Sequence, residues 1–211
     1  GMWAVVAEAI TDALPTTPDV ATGGGASGWT APSLFVDEIR NAYREWFRAE
    51  RLNLGAAVQA AAAHGLHQQC SQIAGLMASA CLLYGDYDLL SPALDVARRA
   101  CAHAGDRKGE AMTLAAIGRL RQELCDAEGA HRLFQEAHGL FATIGDERGQ
   151  AFAAVFASDS RRAVEQQQGT STFDQAARWA TVAHNLSRGL GDPAREIDAA
   201  YVLGKVFAAQ G

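Results

Sequence analysis

Apolar residues recur at helical spacing in paired segments along most of this chain. One pair runs from Gly105 to Ile144, where a first periodic segment ends at Leu124 and a second follows a polar break at Cys125-Asp126. Apolar positions three and four residues apart are typical of amphipathic helices. The pattern therefore predicts a helical hairpin over residues 105–144.

The start of this hairpin recurs along the chain. Residues 105–111 read GDRKGEA, and residues 145–151, which begin 40 positions later, read GDERGQA; a third start, Gly191-Asp192-Pro193, follows 46 positions after the second. Self-similarity at such periods is typical of helical solenoids, in which each unit buries its apolar face only by stacking on its neighbours. We therefore expect an all-α, right-handed superhelix of three to four helix pairs.

Small and aromatic residues occupy set positions within the 105–144 unit. Gly118 on the first helix and Ala130 on the second are small, which permits two antiparallel helices to approach closely, and Phe134 is expected to fill the wedge beside the next pair. With Ala137, this spacing resembles the tetratricopeptide repeat (TPR), a helical-hairpin repeat. The corresponding positions in the other copies are Ser158, Gly204, Ala176, Ala180, Ala183, Ala78, Leu90, Leu94 and Ala97.

The whole chain is predicted to have three parts. Residues 1–32 hold Gly1, interpreted as the remnant of an expression tag, then a short helix and a flexible Pro/Gly linker. Residues 33–65 form a helical adaptor of two helices that meet near Ala49. Residues 66–211 form the repeat array. Its units are 66–104, 105–144, 145–190 and a partial 191–211, with helices at 66–84, 87–104, 106–124, 127–144, 147–167, 173–190 and 194–209.

The third unit is longer than the second. Its extra residues include Gln166-Gln167-Gln168-Gly169-Thr170-Ser171, a polar run that ends with turn-forming residues. Runs of this composition between periodic segments are typical of loops. We therefore expect a mobile turn between the two helices of this unit.

Composition and charge narrow the class of protein. The 211 residues are 49% hydrophobic but only 8% aromatic, and the excess is largely alanine, the strongest helix former. The net charge is −6 and no segment is strongly basic, so direct binding of nucleic acid or of an anionic membrane by this segment is not expected. No apolar run is long enough to span a membrane and no signal-peptide pattern opens the chain, which predicts a cytoplasmic location.

Candidate chemistry in the sequence is sparse. The four cysteines include no CxxC pair, so reduced thiols are expected. His64, His67 and Cys70 lack a fourth ligand for zinc. His131 and His138 share one helical face, which we interpret as an exposed polar face. No Ser/His/Asp or Cys/His set can be assembled from the spacing, so neither enzymatic activity nor a metal or other cofactor is expected.

One segment resembles a more specific family. Trp46–Val58 reads WFRAERLNLGAAV and is followed by a turn at His64-Gly65-Leu66. It is similar to the segment that opens the C-terminal repeat region of antibiotic-regulatory-protein (SARP-type) transcriptional activators and of related NB-ARC-containing STAND-type signalling ATPases of bacteria. In that family, an arm with G-D-x-x-G-E-A repeats follows. The resemblance covers about residues 34–210 and implies that DNA-binding and ATPase domains precede this arm.

The candidate site is the groove lined by the first helix of each pair. In TPR arrays this concave surface presents the first-helix positions that do not pack within the array. Its mixture of Arg, Lys and aromatic residues suits a peptide or helix ligand, because such residues usually anchor binding. The alternative is that these residues bind no ligand and form only a solvated inner face, or one covered by the N-terminal helix. The predicted groove residues are Gln72, Ser79, Met112, Arg119, Gln122, Phe152, Asp159, Arg162, Asp198, Tyr201 and Lys205.

These observations favour a non-enzymatic protein-interaction module. By the family resemblance, it would be the regulatory sensor arm of a larger transcriptional regulator. Its ligand would be a protein or peptide segment, and other domains of the same polypeptide are among the candidates. Two alternatives stay open. One is a stand-alone TPR adaptor, and the other is a small-molecule-binding or catalytic helical domain, which a deep apolar pocket closed by the N-terminal helix would favour.

Overall fold

The computed structural model describes residues 43–170, 172–191 and 193–210. Every regular element in these ranges is an α-helix, so the fold is all-α, as predicted. The short helix and linker predicted at 1–32, and the start of the adaptor, lie outside the described residues. The helices are α1 (Tyr43–Ala63), α2 (His67–Tyr84), α3 (Tyr87–Ala104), α4 (Arg107–Glu123), α5 (Ala127–Thr143), α6 (Glu147–Gln167), α7 (Asp174–Leu190) and α8 (Pro193–Gln210).

The described chain divides into two compact units. Unit 1 ends at Gly109 and unit 2 begins at Glu110. In unit 1, α2 packs on α3, and α1 packs on both. The turns between these helices are only two or three residues long, so consecutive helices that pack on each other run antiparallel. Large side chains that are fully buried in this unit are Phe47, Val58, Met77, Leu90 and Leu94.

Helix α1 is continuous, and the prediction of two helices that meet near Ala49 is wrong. Phe47, Leu54 and Val58 are all buried. Their spacings of seven and four residues place them on one side of a single helix. No glycine or proline separates Phe47 from Leu54, so nothing in the sequence breaks the helix between them.

Unit 2 is built around the ring of Phe134 on α5. This side chain is fully buried and stacks on Phe156 of α6, with ring centroids 5.3 Å apart. A Cβ built on Gly118 of α4 would lie 2.9 Å from Cζ of Phe134. Phe134 thus fills the wedge between α4 and α6, as predicted. The other buried residues of this cluster are Ala111, Leu114, Ala115, Ala130, Ala137, Phe141, Phe152, Ala153 and Ala157.

The helices α6, α7 and α8 of unit 2 pack on one another. Helix α6 packs on α5 and α7, α7 packs on α8, and α8 also contacts α6. A second apolar cluster joins α6, α7 and α8, and Trp179 of α7 packs against both clusters. The buried residues of this second cluster include Val155, Phe173, Ala176, Ala180, Ala183, Ala199, Val202 and Val206.

The Gly-Asp-x-x-Gly motif forms the turns that begin the hairpins at residues 105 and 145. Gly145 has φ 69°, a left-handed conformation that favours glycine and ends the preceding helix. Oδ1 of Asp146 accepts a hydrogen bond of 2.9 Å from the backbone N–H of Gly149, which caps the start of α6. A Cβ on Gly149 would lie 2.3 Å from the ring of Phe141, so only glycine fits there. The copy at 105–109 forms the same 2.9 Å cap.

The turn after α6, for which we expect mobility, begins with hydrogen bonds to the last turn of that helix. The backbone N–H and Oγ1 of Thr170 donate to the carbonyl oxygen of Glu165 at 3.1 and 3.0 Å. The carboxylate of Glu165 is buried, and its two oxygens accept hydrogen bonds from the backbone N–H groups of Gln175 and Ala176, at 3.2 and 3.3 Å. Glu165 therefore caps α7 from the last turn of α6.

Candidate functional site

Nine of the eleven predicted groove residues lie on α4, α6 and α8 of unit 2. The other two lie on α2 of unit 1, where Gln72 is half-buried and Ser79 is buried. Seven of these nine lie on one surface, where Phe156 and Arg195 join them. We define the α4–α6–α8 face by Arg119, Gln122, Phe156, Asp159, Arg162, Arg195, Asp198, Tyr201 and Lys205.

Arg119 and Phe156 form the contact between α4 and α6 on this face. The guanidinium carbon of Arg119 lies 5.5 Å from the centroid of the Phe156 ring. Burial lowers the pKa of the Arg119 guanidinium, and the carboxylate of Glu123 opposes that shift. Within the described part of the chain, no carboxylate forms a salt bridge with this guanidinium and no group accepts a hydrogen bond from it. Arg119 is thus a partly desolvated cation held by an aromatic ring.

Phe152, predicted to contact a ligand, is a core residue. It is 2% exposed, and its ring lies 4.8 Å from that of Phe156. The guanidinium of Arg195, at the start of α8, lies 5.5 Å from the centroid of the Phe152 ring. Arg195 also forms a 3.5 Å ion pair with Asp198, one helical turn further along. Arg195 therefore covers Phe152, and the prediction of Phe152 as a groove residue is wrong.

Asp159 connects α6 to α8. Its Oδ1 accepts hydrogen bonds from Nη2 of Arg162 at 3.1 Å and from Nζ of Lys205 at 2.5 Å. Nζ of Lys205 also lies 5.4 Å from the centroid of the Tyr201 ring. Tyr201 is 67% exposed and is the most accessible aromatic side chain of this face.

The two remaining predicted residues of α4 have different roles. Nε2 of Gln122 donates a 2.9 Å hydrogen bond to Oγ of Ser160, which itself donates to the carbonyl oxygen of Phe156. Gln122 thus joins α4 to α6 next to Arg119. Met112 is half-buried and packs against the cluster around Phe134, so its main contacts are with the core.

Sequence reasoning missed Phe156 and Arg195. Phe156 follows Phe152 by four residues, and Arg195 precedes Asp198 by three. Both spacings put the residue beside a predicted groove position on the same helix. This spacing could have indicated Phe156 and Arg195 as candidates, but it does not show which member of each pair faces outward.

His131 and His138 both lie against one aromatic ring, that of Trp179. His131 is 4% exposed, and its Nδ1 donates a 2.9 Å hydrogen bond to the carbonyl oxygen of Ala157. Both imidazoles approach Trp179 edge-on, with centroid distances of 6.2 and 5.2 Å. Burial lowers the pKa of each. The prediction of an exposed face is therefore wrong for His131.

Two observations bear on other kinds of site, and the first is in unit 1. A cavity of about 330 Å³ lies beside the end of α1, the start of α2 and the end of α3, and its lining includes His67, Arg99 and His103. The last two are exposed, so this cavity differs from a deep apolar pocket. In the described ranges, no group of three or more His, Cys, Asp or Glu side chains is placed to hold a metal ion.

Comparison of the chain with protein-family models, with curated proteins and with solved structures finds no match. None of the helices at 43–210 that the structure describes is long and apolar enough to cross a membrane. The function is therefore inferred from the α4–α6–α8 face and from the sequence.

Proposed function

We propose that this chain is a non-enzymatic, TPR-like interaction module that binds a protein or peptide segment on the α4–α6–α8 face. The observation that carries the proposal is the set of contacts across three alternate helices, from Arg119 on α4 through Phe156 and Asp159 on α6 to Lys205 on α8. When hairpins stack, their first helices line one common surface. The alternation of these helices along one face therefore supports a superhelical repeat array, for which we propose the right-handed form.

The chemistry of the face suits a peptide ligand. Arginine and tyrosine are among the residues that most often anchor protein interfaces. The face offers Arg119, half-buried beside an aromatic ring, and Tyr201, which is exposed. The ion pairs of Asp159 with Arg162 and Lys205 hold charged side chains in place before a ligand arrives. Side chains that are already ordered lose less conformational entropy on binding, which favours affinity.

A random-peptide phage library selected on the immobilised protein tests this function. We expect enriched peptides whose affinity falls by about tenfold in Tyr201→Ala, as is usual when an interface anchor is truncated. Phe207→Ala is the matched control, because Phe207 is also an exposed aromatic residue of α8 but lies outside the face. A selection that enriches no peptide, or peptides whose binding is the same in Tyr201→Ala, would overturn the proposal.

The biological role that we propose is the regulatory arm of a SARP-type or STAND-type bacterial transcriptional regulator. The support is the resemblance of Trp46–Val58 and of the Gly-Asp-x-x-Gly repeats to that family. A ligand that binds one state of such a regulator more tightly than the other would shift the population towards that state. An immunoblot of source-cell lysate tests the role, because these 211 residues have a mass of 22.3 kDa. A band several times larger supports it, whereas a band near 22.3 kDa favours a stand-alone adaptor.

A further inference from the structure

We infer that the ligand of the α4–α6–α8 face is an acidic peptide segment, one of whose carboxylates binds Arg119. This inference rests on the proposed function and names the chemistry of the partner. It starts from the surroundings of Arg119. Its guanidinium is partly desolvated over the Phe156 ring and forms no salt bridge with the described residues.

The position of Arg119 leaves its hydrogen-bonding capacity available. A guanidinium is planar and carries its N–H donors at the edge of the plane, so that it can contact a ring and still bind a carboxylate through two hydrogen bonds. The Phe156 ring and the nearby charge of Glu123 replace only part of the hydration that this partly buried cation has lost, because neither forms a salt bridge or a hydrogen bond with it. A carboxylate of the ligand would replace the rest, and the interaction would be stronger than in bulk water because the site is partly shielded from solvent.

The charge of the whole face points to the same ligand. Its four cations are Arg119, Arg162, Arg195 and Lys205, and its two carboxylates are Asp159 and Asp198. Asp159 interacts with two of these cations through a single oxygen atom, and Asp198 pairs with Arg195. The cations still outnumber the carboxylates when Glu123, four residues after Arg119, is included.

This positive face lies on a chain whose net charge is −6. The excess of cations on this face attracts an acidic segment and orients its approach, which favours such a ligand over a neutral one. The negative overall charge also disfavours a nucleic acid, whose binding requires a broad basic surface. The exposed ring of Tyr201 beside Lys205 offers apolar contact next to a cation, so acidic residues that flank an aromatic or aliphatic residue fit best.

Fluorescence anisotropy with short labelled peptides tests the inference. The probes are an acidic peptide with one central phenylalanine, its counterpart with Gln and Asn in place of Glu and Asp, and an oligothymidylate of similar length. We expect the acidic peptide to bind at least about tenfold more tightly than the amide peptide, and this preference to shrink between about 50 and about 300 mM NaCl as the charges are screened.

Variants of the full chain assign the effect to Arg119. Arg119→Met, which keeps an unbranched stem of similar reach, should reduce acidic-peptide affinity by about tenfold, and Arg119→Lys, which keeps only the charge, should retain part of it. Arg132→Met is the matched control, because Arg132 is exposed on α5, outside the face. This variant should bind the acidic peptide as tightly as the wild type does.

The possible failures are distinguishable. If the phage selection enriches peptides that need Tyr201 but carry no excess of Asp and Glu, or if Arg119→Met leaves acidic-peptide affinity unchanged, the acidic ligand is excluded while the interaction module stands. Tighter binding of the oligothymidylate than of the acidic peptide, with loss in Arg119→Met, excludes a peptide ligand. If neither the selection nor the anisotropy measurement detects a bound peptide, the proposed function and this inference both fail.

Discussion

The guanidinium of Arg119 lies 5.5 Å above the Phe156 ring, and that ring is stacked on Phe134 at the centre of unit 2. A candidate ligand-binding cation is thus supported directly by the apolar core. The orientation of Arg119 depends on the packing of α4, α5 and α6 rather than on a flexible loop. Variants in this region can therefore separate effects on binding from effects on stability.

Arg119→Met is expected to change the free energy of unfolding by less than about 1 kcal/mol. The cation–π contact at a partly exposed site contributes about 0.5–1 kcal/mol, and its loss is offset when the desolvated charge is replaced by an apolar side chain that packs on the same ring. Urea denaturation followed by far-UV circular dichroism measures this difference. A loss above about 2 kcal/mol would show that Arg119 is mainly a structural residue.

Gly118→Ala is expected to destabilise unit 2 by about 1–2 kcal/mol, although alanine is the better helix former by about 1 kcal/mol. The new Cβ would lie 2.9–3.1 Å from three atoms of the Phe134 ring. That ring is fully buried and stacked, so it cannot move without disturbing Phe156. The measurement is again urea denaturation.

Gly139→Ala on α5 is the matched control for Gly118→Ala. Gly139 is exposed, and a Cβ there would meet no atom within 4 Å. We expect a gain of about 0.5–1 kcal/mol in the free energy of unfolding, from helix propensity and reduced flexibility of the unfolded chain. Equal gains in both variants would contradict the close approach of α4 and α5.

Glu165→Ala is expected to reduce the free energy of unfolding by about 1–3 kcal/mol, the usual cost of leaving buried hydrogen-bonding groups without partners. The substitution removes both acceptors of the backbone N–H groups of Gln175 and Ala176, and it leaves Arg161, whose Nε lies 3.5 Å from Oε1, without its carboxylate. Thermal unfolding monitored by calorimetry would detect this loss. Glu136→Ala, at an exposed position of α5, should change stability by no more than about 0.5 kcal/mol.

His131 and His138 are expected to make the protein less stable as the pH falls below about 6.5, the ordinary pKa of histidine. Burial lowers the pKa of both in the folded state. As the pH falls, these histidines therefore take up protons in the unfolded chain before they do so in the folded protein. The stability that they contribute is complete above their pKa in the unfolded chain, and it is lost as the pH falls towards their lower pKa in the folded protein. For His131, Arg161 adds to the downward shift, whereas the hydrogen bond to Ala157 and the carboxylates of Glu128 and Glu165 oppose it.

The measurement is the free energy of unfolding at about pH 7.5 and about pH 5.5, for the wild type and for a variant with His131→Gln and His138→Gln. The variant is expected to lose less stability between the two pH values, because a glutamine side chain does not titrate. An identical loss in both proteins would show that other groups cause the pH dependence.

Local sequence patterns predicted the helices of the array well. Each boundary predicted between residues 66 and 209 lies within one residue of the helix that the structure contains. Apolar periodicity marks the length of each helix, and glycine and aspartate mark its ends through left-handed turns and N-caps, as at Gly145 and Asp146. These signals act over a few residues, so they can be read directly from the sequence. The break predicted near Ala49 is wrong because no such end signal is present there.

The composition of the candidate face depended on the tertiary structure. Periodicity shows which residues share one side of a helix, but residues four apart differ by only about 40° around its axis. A modest rotation of α6 therefore decides whether Phe152 or Phe156 faces outward. Partners on separate helices, such as Asp159 with Lys205 or His131 with Ala157, lie 46 and 26 positions apart. The amino-acid sequence by itself determined the helices and their ends, because these depend on neighbouring residues. Only the packing of one helix on another decided which side chains are buried and which form the face.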